Sequence, residues 1–230
     1  MDKVSEHDLL EKLKLMFLSG ESHQIELAFM LAESNDLNLG PIEKGIKNIL
    51  TLSEIKPRLG DWTEARLENL IYPLNMVLTL CIEDCEMKQL PDEIGFFKNL
   101  GIVELHGIGL ESLGDGIQYL SKLRSFSAKN NRLEYLPESI GNLKKLRSLN
   151  LHDNLLKKLP DALQELEELE LLQLSKNPQL IELPVWLCRL PSLKKLILDK
   201  DVFKEKIPNA LLPVPETLSV EWEQIQPRFK

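Results

Sequence analysis

Leu100, Leu123, Leu146 and Leu169 stand 23 residues apart, and Val77 carries the same register one step upstream. A fixed apolar period constrains a chain more than its composition does, because it asks for one short unit to be built repeatedly. The positions between those leucines keep the phase. The clearest copy runs Leu146, Leu149, Leu151, Asn154, Leu156, Leu159-Pro160, Leu163 and Leu166. Its predecessor reads Leu123, Phe126, Ala128, Asn131, Leu133, Leu136-Pro137, Ile140 and Leu143. The first copy uses Val77, Leu80, Ile82, Cys85, Met87, Leu90-Pro91, Ile94 and Phe97, and the second Leu100, Val103, Leu105, Ile108, Leu110, Leu113, Ile117 and Leu120. A fifth starts at Leu169 and gains one residue at Asn177-Pro178. A sixth starts at Leu193 and drifts at Ile207-Pro208.

Energetics explain why the unit must repeat. Each copy offers about seven apolar side chains, which stabilise by roughly 1.5–3 kcal/mol each when fully buried. Ordering its backbone costs about 1–2 kcal/mol per residue. One unit alone therefore cannot fold, whereas stacked units share two faces each and need only their ends covered.

The string Leu146-x-x-Leu149-x-Leu151-x-x-Asn154-x-Leu156-x-x-Leu159-Pro160 resembles the leucine-rich-repeat family, in the variety common among bacterial and Ras-pathway scaffold proteins. The resemblance implies an α/β solenoid of about six coils over residues 76–208, with a curved parallel sheet on its concave side and short helices or irregular turns on the convex side. The repeat's asparagine slot holds Asn131, Asn154 and Asn177, with Cys85 in the same place. A carboxamide suits an inward turn because it offers both a donor and an acceptor to buried backbone. Coil two departs twice: Ile108 replaces the asparagine and Gly114 the proline, so a locally looser backbone is expected there.

Residues 1–75 change to a helical pattern. Ser5 and Asp8 open a run through Leu9, Leu10, Leu13, Met16 and Phe17 that stops at Gly20. Further runs carry Ile25, Ala28, Leu31 and Ala32, then Ile42, Ile46 and Ile49, then Leu67, Leu70 and Ile71. An α-helical N-terminal cap on the first coil is expected. Residues 209–230, with Pro213, Pro215 and Trp222, are read as a C-terminal cap.

In LxxLxLxxN the strand side chains alternate, so residues between the leucines project from the concave sheet. One column then holds Cys81, Glu104, Ser127, Asn150, Gln173 and Ile197. A second holds Glu83, His106, Lys129, His152, Ser175 and Asp199, and a third Thr79, Ile102, Ser125, Ser148, Leu171 and Lys195. The candidate partner-binding set is Glu83, Glu104, His106, Lys129, Asn150, His152 and Gln173.

Chemistry on that face fares poorly. His106 and His152 lie two coils apart, about 10 Å by strand spacing, too far for ligands of one zinc ion. Lys129 stands between them. Cys81 beside Glu104 and His106 lacks an assignable oxyanion donor. No Gly-rich phosphate loop, GxSxG or HExxH string occurs. No catalysis, cofactor or metal is expected. The runs Glu165, Glu167, Glu168, Glu170 and Lys144, Lys145, Arg147 read as solvated, compensating surface charge, and Trp186 as partly buried.

A net charge of −8 and a pI near 5.2 disfavour a general binder of nucleic acid or anionic membrane. No stretch approaches a membrane span, and the N-terminus lacks a signal-peptide profile. Three cysteines, Cys81, Cys85 and Cys188, form no disulfide framework, which places the chain in reducing cytoplasm. The expectation is a monomeric, non-catalytic protein–protein interaction module. Its alternatives are a regulator of a nucleotide-hydrolysing, GTPase-type enzyme and a receptor for a peptide or small ligand.

Overall fold

The computed structural model describes residues 11–13, 15, 28, 30–32, 39, 77–83, 85–199 and 218–223. Its frame is a parallel sheet of seven strands: β1 (Thr79–Ile82), β3 (Ile102–Leu105), β5 (Ser125–Ser127), β6 (Ser148–Asn150), β7 (Leu171–Gln173), β8 (Lys195–Asp199) and β9 (Ser219–Glu223), in that order. Two short strands, β2 (Gln89–Leu90) and β4 (Ser112–Leu113), pair separately. Register advances one coil at a time. Leu80, Val103, Phe126, Leu149, Leu172 and Leu196 stand opposite one another along the sheet, and all six are buried.

The opposite wall is built of 3₁₀ turns, and the sequence says why. After each Leu-Pro the apolar residues recur every third position: Ile94-Phe97-Leu100, Ile140-Leu143-Leu146, Leu163-Leu166-Leu169. Three residues per turn is the 3₁₀ period, so this spacing puts all of them on one face. The five turns run Asp92–Phe96, Asp115–Tyr119, Glu138–Asn142, Asp161–Glu165 and Val185–Arg189. The apolar residues at this spacing are buried, and Ile94, Phe97 and Leu100 each donate a backbone bond three residues back at 3.1 Å.

Between strand and turn the chain reverses inward at a left-handed residue: Asn130 (φ 59°), Asp153 (φ 54°) and Lys176 (φ 57°). The next residue in each coil is the ladder asparagine. Asn154 is 2% exposed. Its Nδ2 donates to the carbonyls of Ala128 (2.9 Å) and Leu151 (3.1 Å), and its Oδ1 accepts from the Leu133 N–H at 3.1 Å. Asn177 repeats this with Leu151, Leu174 and the Leu156 N–H, and Asn131 with Leu105, Ala128 and the Leu110 N–H. Each carboxamide thus ties its own coil to the one before. Cys85, half-buried, packs against the core in the first coil.

Coil two solves the same problem without an asparagine. The Met87 N–H, which by register needs an acceptor from position 108, donates to the backbone carbonyl of Ile108 at 2.8 Å. Two glycines of positive φ, Gly107 (66°) and Gly109 (74°), flank Ile108 and let the chain turn this way. The looser backbone expected at Gly114 is instead a tight approach. Gly114 keeps the dihedrals of the prolines in other coils (φ −74°, ψ 159°), and its N–H donates to the Leu90 carbonyl at 3.0 Å, a bond proline cannot make. Two residues on, the Gly116 N–H donates to Asp92 Oδ1 at 2.9 Å. A Cβ on Gly116 would sit 2.0 Å from the Asp92 carbonyl oxygen.

The ends depart from expectation in other ways. The tail read only as a cap contributes β9, whose Ser219 N–H donates to the Lys194 carbonyl at 2.8 Å. Ser175 and Asp199, assigned above to an outward column, are buried, at 0% and 1% exposure. The Asp199 carboxylate accepts from the Lys176 N–H (2.7 Å) and the Asn177 N–H (3.3 Å). One coil earlier, the equivalent N–H groups of Asp153 and Asn154 bond the backbone carbonyls of Ser175 and Lys176. A side chain thus takes over from backbone where the repeat fades. Before Val77, the described residues 11–13, 15, 28 and 30–32 are helical, with Leu13, Ala28 and Ala32 buried. The expected cap as a whole lies outside the described residues.

The glycine contacts give a paired test. Gly116→Ala should destabilise by about 1–3 kcal/mol, the usual cost of overpacking. Gly101→Ala, whose new Cβ meets nothing nearer than 3.7 Å, should be neutral or slightly stabilising. Urea midpoints of the two variants check this, and equal midpoints would contradict the tight approach.

Candidate protein-binding face

The sheet register sets the candidate residues in order. Cys81, Glu104, Ser127, Asn150, Gln173, Ile197 and Glu221 are successive neighbours across the seven strands. Of these, Cys81, Glu104, Asn150, Gln173 and Ile197 are half-buried, Glu221 is exposed, and Ser127 is buried at 8% exposure. The second column begins where the strands end. Its Glu83 is exposed, and His106, Lys129 and His152 are half-buried. The seven candidates therefore lie on one continuous face, while Ser175 and Asp199 belong to the interior.

Hydrogen bonds between coils hold several of these side chains. Cys81 Sγ donates to Glu104 Oε2 at 3.5 Å. His106 Nε2 meets Ser127 Oγ at 2.9 Å, and His152 Nδ1 meets Ser175 Oγ at 2.8 Å. Asn150 Oδ1 accepts from the His152 N–H at 3.0 Å, so this amide is partly engaged in its own strand end. Such links fix rotamers before any partner arrives and lower the ordering cost of binding.

Burial and charge act together on His106. Desolvation lowers its pKa below the ordinary 6.5, the Lys129 ammonium adds to the fall, and Glu104 and Glu83 oppose it. The folded environment therefore favours the neutral ring. The face carries Glu83 and Glu104 at one end and Lys129 near its middle. Lys195 and Glu221 pair at 2.8 Å toward the other end.

Sequence reasoning left two contributions out. The Lys195–Glu221 pair needed β9, and its signal was the alternation Leu218-Ser219-Val220-Glu221-Trp222. Ile102, 40% exposed between Thr79 and Ser125, and the half-buried Leu171 and Ile197 on β7 and β8, add separate points of apolar contact to an otherwise polar face. The convex charge runs pair between coils: Lys144 with Glu165 (3.2 Å), Arg147 with Glu168 (3.0 Å) and Lys194 with Glu170 (2.8 Å). Trp186 is half-buried, and its Nε1 donates to Asp161 Oδ1 at 3.0 Å. Among the described residues no three His, Cys, Asp or Glu side chains cluster in a way that could hold a metal ion, and no helix is long and apolar enough to cross a membrane.

Comparison with known proteins agrees with this architecture. The family model described as Leucine Rich Repeat matches residues 145–166. A solved leucine-rich-repeat protein of Leptospira interrogans is similar at 30% identity and a TM-score of 0.53, over 58% of this chain and 35% of that one. The chain thus spans about a third of that protein's length. No curated protein matches. With the parallel sheet and its one-coil register, these likenesses make the repeat region a leucine-rich-repeat solenoid.

The electrostatics of His106 give a second test. Its folded pKa lies below the unfolded one, so the folded state favours the neutral ring. That contribution is full above the ordinary value of 6.5 and is lost as pH falls through the folded pKa. An NMR titration should show His106 protonating below the ordinary value, and Lys129→Gln should move the midpoint upward. A midpoint indifferent to Lys129 would contradict this placement of the two side chains.

Proposed function

We propose that the chain is a non-catalytic protein-recognition module that seats a partner protein on its concave face through Glu83, Glu104, His106, Lys129, Asn150, His152 and Gln173. The observation that carries this reading is the set of half-exposed side chains held in register on seven parallel strands. Strands about 4.8 Å apart present them as a broad, rigid surface. Both charges, two amides and two imidazoles suit a polar protein surface better than an apolar peptide, and Ile102, Leu171 and Ile197 add apolar contact. The module acts as a monomer in the cytoplasm, where the thiols of Cys81 and Cys85, which form no disulfide, stay reduced.

Lys129 and Gln173 lie toward the middle of this face, where exclusion of water makes a substitution most costly. Lys129→Glu combined with Gln173→Arg should weaken partner binding by about 2 kcal/mol and leave circular dichroism unchanged. Glu167→Lys with Glu182→Lys, both exposed and off the concave columns, should leave affinity near wild type. Calorimetry against the protein captured from native cytosol checks both. Normal affinity in the concave variant together with loss in the other would move the site off this face.

A further inference from the structure

A second surface, at the rim where the strands turn inward, has a different chemistry. By repeat register Gly107 aligns with Asn130 and Asp153, and Gly109 with Arg132 and Leu155. The two glycines permit the backbone solution at Ile108, and they also leave coil two without side chains where the next coils carry them. The result is an open notch of about 400 Å³ lined by these six residues and the ladder asparagines beneath.

Its polar groups are asymmetric. Arg132 is exposed, and its guanidinium makes no ion pair or hydrogen bond with another described residue. The Ile108 and Leu110 N–H groups both turn to Asn131 Oδ1, at 3.1 and 3.0 Å, whereas the Gly109 N–H between them has no bonded partner among the described residues. A cation and a backbone donor thus share the notch with the Asn130 carboxamide and the Asp153 carboxylate. A lone anion would meet Asp153 unfavourably. An occupant with a carboxylate followed by an amide N–H satisfies both signs, and that is the chemistry of a peptide's C-terminal residue. The half-buried Leu155 offers apolar contact to a small terminal side chain.

We propose that the notch of coils two to four captures the C-terminal carboxylate of an extended peptide segment of a partner protein, with Arg132 and the Gly109 N–H receiving the carboxylate and Asn130 and Asp153 the preceding amide. The notch lies on the rim and not among the concave columns, so this site and the proposed concave site stand or fall separately.

The test is an NMR titration of the ¹⁵N-labelled full chain with N-acetyl-Ala-Ala-Ala as the free acid, as its C-terminal amide, and with acetate alone. The acid should give saturable shifts at Gly107, Gly109, Asn130 and Arg132. The amide should bind about tenfold more weakly or not at all, as loss of a charge-assisted hydrogen bond implies. Arg132→Gln should weaken the acid to a similar degree. Gly107→Asn, which copies the residue of coil three at a left-handed position that Asn130 already occupies, should keep the fold and fill the notch. Equal binding of acid and amide would overturn the proposal, as would acetate matching the tripeptide, shifts confined to the concave columns, or full affinity in both variants.

Discussion

The bond between a buried carboxamide and the backbone of the preceding coil is the contact on which the remaining structure depends. A chain that reverses direction every few residues around a leucine interior brings peptide groups into a space without water. Leaving one such group without a partner costs about 1–3 kcal/mol. Asn131, Asn154 and Asn177 meet this by acting twice each, donating to carbonyls and accepting from the N–H of the coil before. Leucine burial supplies the driving force, but leucine is indifferent to register. The asparagines, with their left-handed neighbours Asn130, Asp153 and Lys176, fix where each coil turns and hence how the strands align.

Coil two and the far end of the solenoid show what happens when the device is missing. In coil two, two glycines rotate the chain until the Ile108 carbonyl does the work of a side chain. After coil five, the Asp199 carboxylate accepts the two N–H groups that earlier coils bond with backbone. The demand for hydrogen bonds is constant along the array, and the residues that meet it change. The face available to a partner follows from the same constraint, because strands locked in one register present their outward side chains as fixed columns.

Much of this was legible in the sequence. The 23-residue period named the coils, the Leu-x-x-Leu-x-Leu spacing gave the strands and outward columns, and the asparagine slot announced an inward turn. The rest was hidden for physical reasons. Proline at the head of the convex turns implied helix or irregular chain, and only the three-residue apolar spacing separates 3₁₀ from α. Ser175 and Asp199 fit the outward phase of their column, but at the strand ends the chain already bends inward and alternation stops predicting exposure. Gly114 looked like a loosened position because a missing side chain reads as freedom, whereas here it permits a close approach between coils. The β9 strand lost its signal behind Pro213 and Pro215, although Leu218 to Trp222 alternates as a strand should.

Replacing Asn154 by leucine separates the two forces most directly. If apolar burial alone held the solenoid, the added leucine would leave stability unchanged or raise it. If the carboxamide ladder sets the fold, the Ala128 and Leu151 carbonyls and the Leu133 N–H lose a partner together. Equilibrium urea denaturation should then show a loss of at least about 1–3 kcal/mol, the cost of a single orphaned buried group. A midpoint equal to or above that of the native chain would contradict the account.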